Sequence, residues 1–359
     1  MFKPKKIYID VEVENASFTE TILNNLAGVP IEFIDDPRLA TDEILSKPDP
    51  IGQGKKHLLI TSYKGRMLKP CPGTPKVICC HYQILSPVIG CPLDCTYCAL
   101  QMYFNNPLIT MYANINDLMR EMDERLQRKS GWPLRIGTGE LTDSLELDHI
   151  TEMSRLFIPY FSKKSNVLFE LKTKSNQINN LLDLNHGGKT VVAWSVNPQT
   201  IIDKEEMGCA SLEERLQAAR QCQEAGYKLA FHFDPIIYSP DWEEGYESVV
   251  ESLFEYIDPQ NIVWISLGTF RYPPSLKPII RERCPRSKII DEEFIPGQDG
   301  KMRYLKPIRV GMYSKVLSQI RSHNRNVFIY LCMESTDVWR KVFGWTPKNT
   351  ADLARMFRT

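Results

Sequence analysis

The sequence lacks an excess of charge of either sign, and it lacks a long apolar run. Lysine and arginine together number 44, as do aspartate and glutamate, so no overall electrostatic field favours a nucleic acid or a membrane as partner. No stretch reaches the roughly 18 continuous apolar residues that a membrane helix needs, and residues 1–6 contain no apolar signal core. Repeats and low-complexity segments are absent from the sequence as well. We therefore expect a soluble, cytoplasmic protein whose partners bind a local patch.

What the chain does have is the composition of a globular protein. It contains 359 residues, of which 43% are hydrophobic and 25% charged, which fits one large domain or two medium ones. A chain of this size buries its own core without disulfide bonds, and a reducing cytosol would not preserve them. Most of its ten cysteines are scattered, as small buried side chains usually are, but Cys91, Cys95 and Cys98 fall within eight residues. We call these three the cysteine trio.

From about residue 76 onward, apolar runs alternate with amphipathic stretches of helical period. The apolar runs are Val77–Gln83, Leu134–Gly139, Val167–Lys174, Thr190–Asn197, Lys228–Ile236 and Ile262–Phe270. The amphipathic stretches between them include Ile115–Gln127, Asp148–Tyr160, Ser211–Ala225 and Glu243–Ile257. Strands that are apolar on both faces and alternate with helices predict a parallel sheet. Six such units predict an α/β fold with a partial (β/α)6 barrel, and a seventh run, Asn326–Met333, is a candidate edge strand.

This rhythm divides the chain into three predicted parts. Residues 1–75 form an N-terminal α/β extension, and residues 76–275 form the partial barrel. Residues 276–359 form a C-terminal extension with a basic hairpin, an edge strand and a helix. In barrels of parallel strands, functional groups project from the carboxyl ends of the strands and from the loops that follow them. We therefore expect the functional site at those ends.

The cysteine trio lies in the segment Gly90–Leu100, directly after the first predicted barrel strand and its loop. A CxxxCxxC spacing offers three thiolates from one short loop. Three thiolates on a four-iron cube leave one iron free to bind a substrate or a cofactor. A structural zinc ion would need a fourth ligand, for which His81 or Cys80 is available. The aromatic Tyr97 before the last cysteine, together with the position after the first strand, favours the 4Fe–4S cluster over zinc.

This pattern, in a partial β/α barrel, resembles the radical S-adenosylmethionine superfamily. The resemblance implies that the open iron chelates the amino and carboxylate groups of S-adenosylmethionine (AdoMet). It further implies that a one-electron reduction cleaves the C–S bond of AdoMet and gives a 5′-deoxyadenosyl radical, which abstracts a hydrogen atom from the substrate. An electron donor such as flavodoxin or ferredoxin is implied as well.

A narrower resemblance extends from about residue 76 to residue 330, and it is to the spore photoproduct lyase family, which splits a thymine dimer in DNA. The matching segments, in the same order, are Gly90–Cys98, Asp143 with Leu147–His149, Thr173–Lys174, Leu181–Asp183, His186–Thr190, Ser195–Asn197, Ala225–Tyr227, Pro235–Ile236, Trp242–Tyr246 and Arg303–Tyr304. The resemblance implies a lyase that cleaves a C–C bond during DNA repair. Two alternatives stay open: a radical enzyme acting on another nucleotide or a small molecule, and a nucleic-acid-binding protein with a structural zinc ion.

The chain departs from the family pattern at two positions. The family's lyase uses a cysteine after the second barrel strand to return a hydrogen atom to the product radical, and Glu140 occupies that position here. A tyrosine that assists this relay is replaced by Ala99. A carboxyl group cannot act as the donor, because its bonds are too strong to quench a carbon radical, whereas the S–H bond of a thiol is weak enough. The Gly139–Glu140 pair instead resembles an element of other radical enzymes that holds the ammonium group of AdoMet, so we expect Glu140 to contact the cofactor.

A different hydrogen-atom donor is then required, and two side chains are candidates. Cys332 precedes the end of the predicted edge strand, whose rim should face the same cavity as the cluster. Strand alternation allows the opposite orientation, in which Cys332 only fills space in the core. Tyr97 either relays a hydrogen atom or packs beside the cluster. We predict catalytic roles for Cys332 and Tyr97.

Polar residues end the middle strands of the predicted barrel. Lys174, Ser195 and Asn197 suit the carboxylate and the ribose hydroxyls of AdoMet, and the family motif favours this role. The alternative is a polar strand end that reaches solvent. His232 and Asp234 end the fifth strand, where the lyase resemblance implies apolar residues. They indicate either a different substrate pocket or a hydrogen-bonded pair under a loop.

A basic segment follows the barrel. Residues 277–325 contain twelve lysines and arginines against five aspartates and glutamates. Within this segment Gly297–Gly300 is typical of a hairpin turn, and Lys301, Arg303 and Tyr304 come directly after it. Cations interleaved with an aromatic residue suit a phosphate backbone and an exposed base, and the family resemblance places a DNA-contacting hairpin here. We predict that these three residues bind nucleic acid, with a charged surface hairpin as the alternative.

Overall fold

The computed structural model describes residues 1–71, 77–127 and 133–357. The strands, numbered along the chain, are β1 (Lys6–Asp10), β2 (Ile31–Ile34), β3 (His57–Thr61), β4 (Leu68–Pro70), β5 (Gln83–Leu85), β6 (Val88–Ile89), β7 (Asp94–Cys95), β8 (Ile109–Tyr112), β9 (Leu134–Gly137), β10 (Val167–Thr173), β11 (Thr190–Ser195), β12 (Glu206–Met207), β13 (Lys228–Ile236), β14 (Ile262–Thr269), β15 (Arg271–Tyr272), β16 (Phe294–Pro296), β17 (Met302–Tyr304) and β18 (Ile329–Leu331). The α-helices are α1 (Ser17–Asn25), α2 (Pro37–Leu45), α3 (Pro50–Gly54), α4 (Leu100–Tyr103), α5 (Ile115–Gln127), α6 (Asp148–Thr151), α7 (Met153–Ser162), α8 (Gln199–Glu205), α9 (Leu212–Glu224), α10 (Trp242–Tyr256), α11 (Leu276–Arg283), α12 (Lys306–His323), α13 (Thr336–Phe343) and α14 (Thr350–Ala354).

The larger sheet is the predicted partial barrel. Its strand order is β18-β14-β13-β11-β10-β9-β5-β4, and all neighbouring pairs are parallel except β4 with β5 at one edge. From β5 to β18 the spatial order follows the chain order, as expected when helices cross over one face of the sheet. The predicted α/β class and half-barrel architecture are confirmed, and the seventh predicted run joins the sheet as β18 next to β14.

The first barrel strand differs from the prediction. The run Val77–Gln83 was expected to form it, but the strand covers Gln83–Leu85. The residues before it lie across the gap between the two edges of the curled sheet, because Ile78 forms an isolated antiparallel bridge with Glu334, just after β18. Apolar composition therefore identified a buried segment correctly, but not which strand it would pair with.

The smaller sheet combines the N-terminal extension with two strands from later in the chain. Its order is β2-β1-β3-β8-β6, parallel except for the β6–β8 pair. Strand β6 precedes the segment that carries the cysteine trio and β8 follows it, so both ends of that segment are anchored in this sheet. The division of the chain at residues 75 and 275 stays a prediction.

A third, three-stranded antiparallel sheet follows β14, with the order β15-β17-β16. It contains the predicted hairpin, whose turn at Gly297–Gly300 closes with a hydrogen bond from the Gly297 N–H to the Lys301 carbonyl oxygen at 2.7 Å. Gly300 has a φ of +74°, a left-handed conformation that favours glycine. In the described ranges, no helix is long and apolar enough to cross a membrane.

Candidate active site

A cleft of about 510 Å³ opens at the carboxyl ends of the barrel strands. Side chains from the cysteine loop, from the strand ends and from the C-terminal extension line it together. The predicted site residues that line the cleft are Cys91, Cys95, Tyr97, Cys98, Glu140, Lys174, Ser195, Lys301 and Cys332. His232 and Asp234 line it as well. Positions separated by more than 200 residues in the sequence therefore meet around one cavity, which is large enough for a small-molecule ligand.

The loop that carries the trio is fixed through its backbone. Lys55, at the end of α3, donates hydrogen bonds to the carbonyl oxygens of Cys91 and Leu93 at 2.9 and 2.6 Å. Gly90 has a φ of +84°, and a Cβ atom there would lie 3.1 Å from the Cα atom of Ile109. A side chain at this position would be strained and crowded, so the turn strongly favours glycine. The N-terminal extension and the loop are thus built to fit each other.

The C-terminal extension holds the other side of the loop. Arg283 in α11 donates to both carboxylate oxygens of Asp94, at 3.1 and 2.9 Å, and it also pairs with Asp49 at 2.8 Å. Strand β7 pairs with β12, which aligns Cys95 with Glu206. Three separate parts of the chain therefore set the position of the three sulfur atoms.

The thiols of the trio differ in their surroundings. The Sγ atoms of Cys95 and Cys209 are 3.6 Å apart, and donation from the Cys209 thiol lowers the pKa of Cys95. Desolvation of the thiolate raises the pKa of Cys91 and of Cys98. The burial of Cys91 and Cys98 disfavours their thiolates, and a nearby positive charge such as that of a metal ion would offset this cost.

The donor set fits an iron–sulfur cluster better than a single metal ion. Among the described residues, no three His, Cys, Asp or Glu side chains converge on a common point that would hold one ion. The zinc alternative with His81 or Cys80 therefore finds no support in the geometry. An iron–sulfur cube takes each thiolate on a different iron, so it needs sulfur atoms that are spread along one wall of a cavity. All three thiols of the trio line the same cleft.

A buried charge network that the sequence did not indicate lies behind the loop. Glu206, fully buried in β12, pairs with Arg215 at 2.5 Å and with Lys174 at 3.6 Å. The Tyr97 hydroxyl donates to Glu206, and the Lys174 ammonium donates to the Tyr97 oxygen at 2.8 Å. Burial alone would raise the pKa of Glu206, but the cations Lys174 and Arg215 lower it to about 2. The network keeps Lys174 charged, and Lys174 also lines the cleft.

Two predicted site residues, Asn197 and Tyr97, are hydrogen-bonded within this network. Asn197 is 1% exposed and does not line the cleft. Its amide nitrogen donates to Glu206 at 2.8 Å and its oxygen accepts from Tyr246 at 2.7 Å, so it supports the network, and its contact with a cofactor stays a prediction. Burial, followed by the Glu206 carboxylate, raises the pKa of Tyr97 well above its usual value, and the phenol hydrogen is directed towards Glu206.

Two ion pairs line the walls of the cleft. Glu140 accepts from the Lys172 ammonium at 2.5 Å, and Asp234 pairs with Arg271 at 3.0 Å. Burial would lower the pKa of Lys172, but the Glu140 carboxylate overrides burial and raises it. Cys332 lies beside the second pair, with its Sγ atom 3.5 Å from Arg271 Nη2. The polar strand ends therefore face a cavity and not bulk solvent.

The basic segment differs from the prediction in its exposure. Arg303 is 4% exposed and pairs with Asp299 at 2.6 Å, and Tyr304 is fully buried with its hydroxyl accepting from the Tyr238 N–H. Both side chains are engaged by protein partners, so their contact with nucleic acid stays a prediction and would require them to leave those partners. Lys301 alone of the three lines the cleft. Other cations of the segment are neutralised by partners outside it, namely Arg283 by Asp94, Lys306 by Asp337, Arg309 by Glu334 and Lys315 by Glu243.

Comparison with known proteins identifies relatives of this chain. The family model described as "Spore photoproduct lyase" matches residues 79–322. Curated relatives named spore photoproduct lyase are 31% identical over 208 residues in Geobacillus sp. (strain Y412MC61) and 30% identical over 209 residues in Bacillus subtilis (strain 168). These matches cover 56% and 57% of this chain, and the chain matches 61% of the length of each relative.

Solved structures resemble the whole described fold. A spore photoproduct lyase complexed with dinucleoside spore photoproduct has a TM-score of 0.82 and 22% identity, and the alignment covers 92% of this chain and 99% of that chain. A double mutant of spore photoproduct lyase with bound AdoMet and dinucleoside spore photoproduct gives the same TM-score, identity and coverage. At this level of identity, the likeness establishes a shared fold.

Proposed function

The chain belongs to the spore photoproduct lyase family, and on that premise we propose that it is a radical AdoMet enzyme. The observation that carries the proposal is the cleft itself, in which three thiols from one loop face Lys174 and Ser195 at the ends of neighbouring barrel strands. A lyase reaction on a nucleotide-like substrate that contains a thymine dimer is the first candidate, because the solved relatives include complexes with dinucleoside spore photoproduct.

The chain's own residues take distinct roles in this proposal. The cysteine trio holds a 4Fe–4S cluster, which when bound supplies the electron that cleaves AdoMet to methionine and a 5′-deoxyadenosyl radical. Lys174 is charged and held by Glu206, so it can bind the AdoMet carboxylate, and Ser195 offers a hydroxyl to the ribose. Glu140 can receive the AdoMet ammonium in place of, or beside, the Lys172 ammonium.

The substrate and partner assignments extend this proposal. A DNA strand could contact Lys301, which lines the cleft, whereas the buried Arg303 and Tyr304 offer it no exposed cation or aromatic ring. A radical reaction on another nucleotide or a small molecule is therefore the second candidate. The electron donor is proposed to be a small redox protein such as flavodoxin or ferredoxin.

Incubation of the reduced protein with AdoMet and dinucleoside spore photoproduct, without oxygen, tests the proposal. We expect both 5′-deoxyadenosine and recovered thymine nucleosides. Formation of 5′-deoxyadenosine without thymine recovery would select the second candidate substrate class. Formation of neither product by a protein that carries its full complement of iron and sulfide would contradict the proposed activity.

Cys332 is the proposed donor of the hydrogen atom that completes the product. Burial, reinforced by the Asp234 carboxylate, raises the pKa of its thiol well above the usual value, so the S–H bond stays intact. That bond would break homolytically, with the hydrogen atom passing to the substrate radical and a thiyl radical remaining on Cys332. The next residue, Met333, has a φ of +54°, a left-handed conformation that is unusual for a side chain of this size. Such strain is common where a chain must aim a functional group.

Replacing Cys332 with alanine should therefore change the products and not the initiation. We expect normal 5′-deoxyadenosine formation with dinucleoside spore photoproduct, but loss of clean thymine recovery and the appearance of radical-derived by-products. Chromatography with mass spectrometry measures both. The matched control is Cys284→Ala, since Cys284 follows α11 outside the cleft. Identical product profiles for Cys332→Ala and the parent would remove Cys332 from the mechanism.

Glu140→Gln tests the contact with the AdoMet ammonium. Loss of the carboxylate charge should weaken AdoMet binding by about 1–3 kcal/mol, the scale of a hydrogen bond to a charged group. Titration calorimetry on the cluster-loaded protein measures this change, and Glu251→Gln on the exposed face of α10 is the control. Unchanged AdoMet affinity in Glu140→Gln would indicate that this side chain faces the substrate instead.

A further inference from the structure

The interior of the half-barrel contains a group of buried polar side chains. Barrels of this kind are usually filled by branched aliphatic side chains. Here four of five consecutive strands of the sheet contribute Arg135 (β9), Glu170 (β10), His232 (β13) and Ser266 (β14), with β11 between β10 and β13. Each of the four is at most 5% exposed. Polar groups in such a place are costly unless they are hydrogen-bonded, so their partners need a full account.

Most of their hydrogen-bonding groups are satisfied by one another. Arg135 donates through Nε and Nη2 to one oxygen of Glu170, at 3.0 and 2.7 Å. The other Glu170 oxygen lies 2.8 Å from His232 Nε2, and His232 Nδ1 lies 2.5 Å from the Ser266 hydroxyl. Burial lowers the pKa of His232, so the imidazole is neutral and the charges of Arg135 and Glu170 cancel. These four side chains, which we call the polar layer, together carry no net charge.

Two donors in or next to the polar layer are left over. Arg135 Nη1 and the Tyr82 hydroxyl are both buried, and neither has a hydrogen-bond partner in the part of the chain that the structure describes. Both residues line the same cleft as the cysteine trio. A buried donor without an acceptor lowers stability, so its retention points to an acceptor that arrives with a ligand.

Neither donor is free to turn towards a protein acceptor. The Arg135 guanidinium carbon lies 4.5 to 5.7 Å from four ring centroids, those of Tyr82, Trp264, Tyr330 and Phe357. The Tyr82 hydroxyl occupies space that exists only because residue 137 is glycine, since a Cβ atom at Gly137 would lie 1.9 Å from it. The two donors are therefore held by packing and have almost no exposed surface, so an acceptor reaches them through a small shift of the cleft wall.

We propose that Arg135 Nη1 and the Tyr82 hydroxyl form a deep subsite that binds a neutral carbonyl oxygen of the substrate, such as that of a pyrimidine ring. Two donors select an acceptor, and the absence of net charge in the layer favours a carbonyl over a phosphate. The inference deepens the proposed function and rests on it, because it names the substrate group that the cleft recognises.

The test compares Tyr82→Phe with Tyr272→Phe. Tyr272 is the matched control because its hydroxyl is also buried without a partner among the described residues, but it does not line the cleft. Binding of thymidine, of dinucleoside spore photoproduct and of inorganic phosphate to cluster-loaded, AdoMet-bound protein is measured by calorimetry. We expect Tyr82→Phe to weaken thymidine binding by about tenfold or more, with thermal stability equal to or above that of the parent. Tyr272→Phe should bind thymidine as the parent does.

The outcomes separate this subsite from the proposed function. If Tyr82→Phe binds thymidine as tightly as the parent, or if the parent binds no thymidine, the subsite is overturned. If phosphate binds in a manner that depends on Tyr82, the neutral carbonyl is overturned. If thymidine binding depends on Tyr82 but dinucleoside spore photoproduct does not bind, the subsite stands and the proposed lyase substrate fails.

Discussion

Replacement of any one of Cys91, Cys95 or Cys98 with alanine is expected to abolish reductive cleavage of AdoMet. A cluster bound through only two thiolates is neither held firmly nor tuned to the required potential. Formation of 5′-deoxyadenosine by the reduced protein, without oxygen, is the measurement, and the expected amount for each variant is at background.

The control for the trio has to be chosen with care. Cys222→Ala is suitable because Cys222 is buried in α9 and does not line the cleft. Cys209 is unsuitable, although it lies outside the CxxxCxxC motif, because its sulfur is 3.6 Å from that of Cys95. If Cys222→Ala lost the iron while Cys95→Ala retained it, the assignment of the trio would be wrong.

The second large effect is expected from Glu206→Gln. This change leaves Arg215 and Lys174 buried with their charges uncompensated, and breaking a buried ion pair from one side costs about 3–5 kcal/mol in the free energy of unfolding. Urea denaturation measures it. The control is Glu224→Gln, which breaks an exposed pair with Arg220 and should change the free energy of unfolding by about 1 kcal/mol or less.

The pH dependence of this effect has a definite sign. The folded protein lowers the pKa of Glu206 from 4.5 to about 2. Its ionic stabilisation is therefore fully present above pH 4.5 and is lost as the pH falls towards 2. The difference between parent and Glu206→Gln should shrink over that interval. Equal destabilisation by Glu206→Gln and Glu224→Gln near pH 7 would show that the network contributes no more than a surface pair.

The alternation of apolar runs with amphipathic stretches predicted the barrel, because strands that are buried on both faces consist of nearly continuous apolar residues. The strands β9, β10, β11, β13 and β14 all lie within the apolar runs that predicted them. The same signal misplaced the first strand, since residues 77–82 are apolar but cross the gap between the sheet edges. An apolar run records that a segment is buried, but it does not record which segment it pairs with.

In the candidate site, too, local features were predictable from the sequence and contacts between distant segments were not. Spacing alone marked the cysteine trio, because three ligands on one short loop are a local feature. Partners such as Glu206 for Lys174 and Glu170 for Arg135 are set by the approach of separate strands, and no local pattern encodes them. The sequence did not indicate which of these side chains are buried. Arg303 and Tyr304 are typical of a surface hairpin, but Arg303 forms a buried ion pair with Asp299 and the Tyr304 hydroxyl accepts a hydrogen bond from the Tyr238 N–H.

The iron and acid-labile sulfide content of the protein, purified without oxygen, tests the central claim most directly. The account predicts about four irons and four sulfides per chain, and their loss in Cys95→Ala but not in Cys222→Ala. One zinc ion per chain with no sulfide would contradict it.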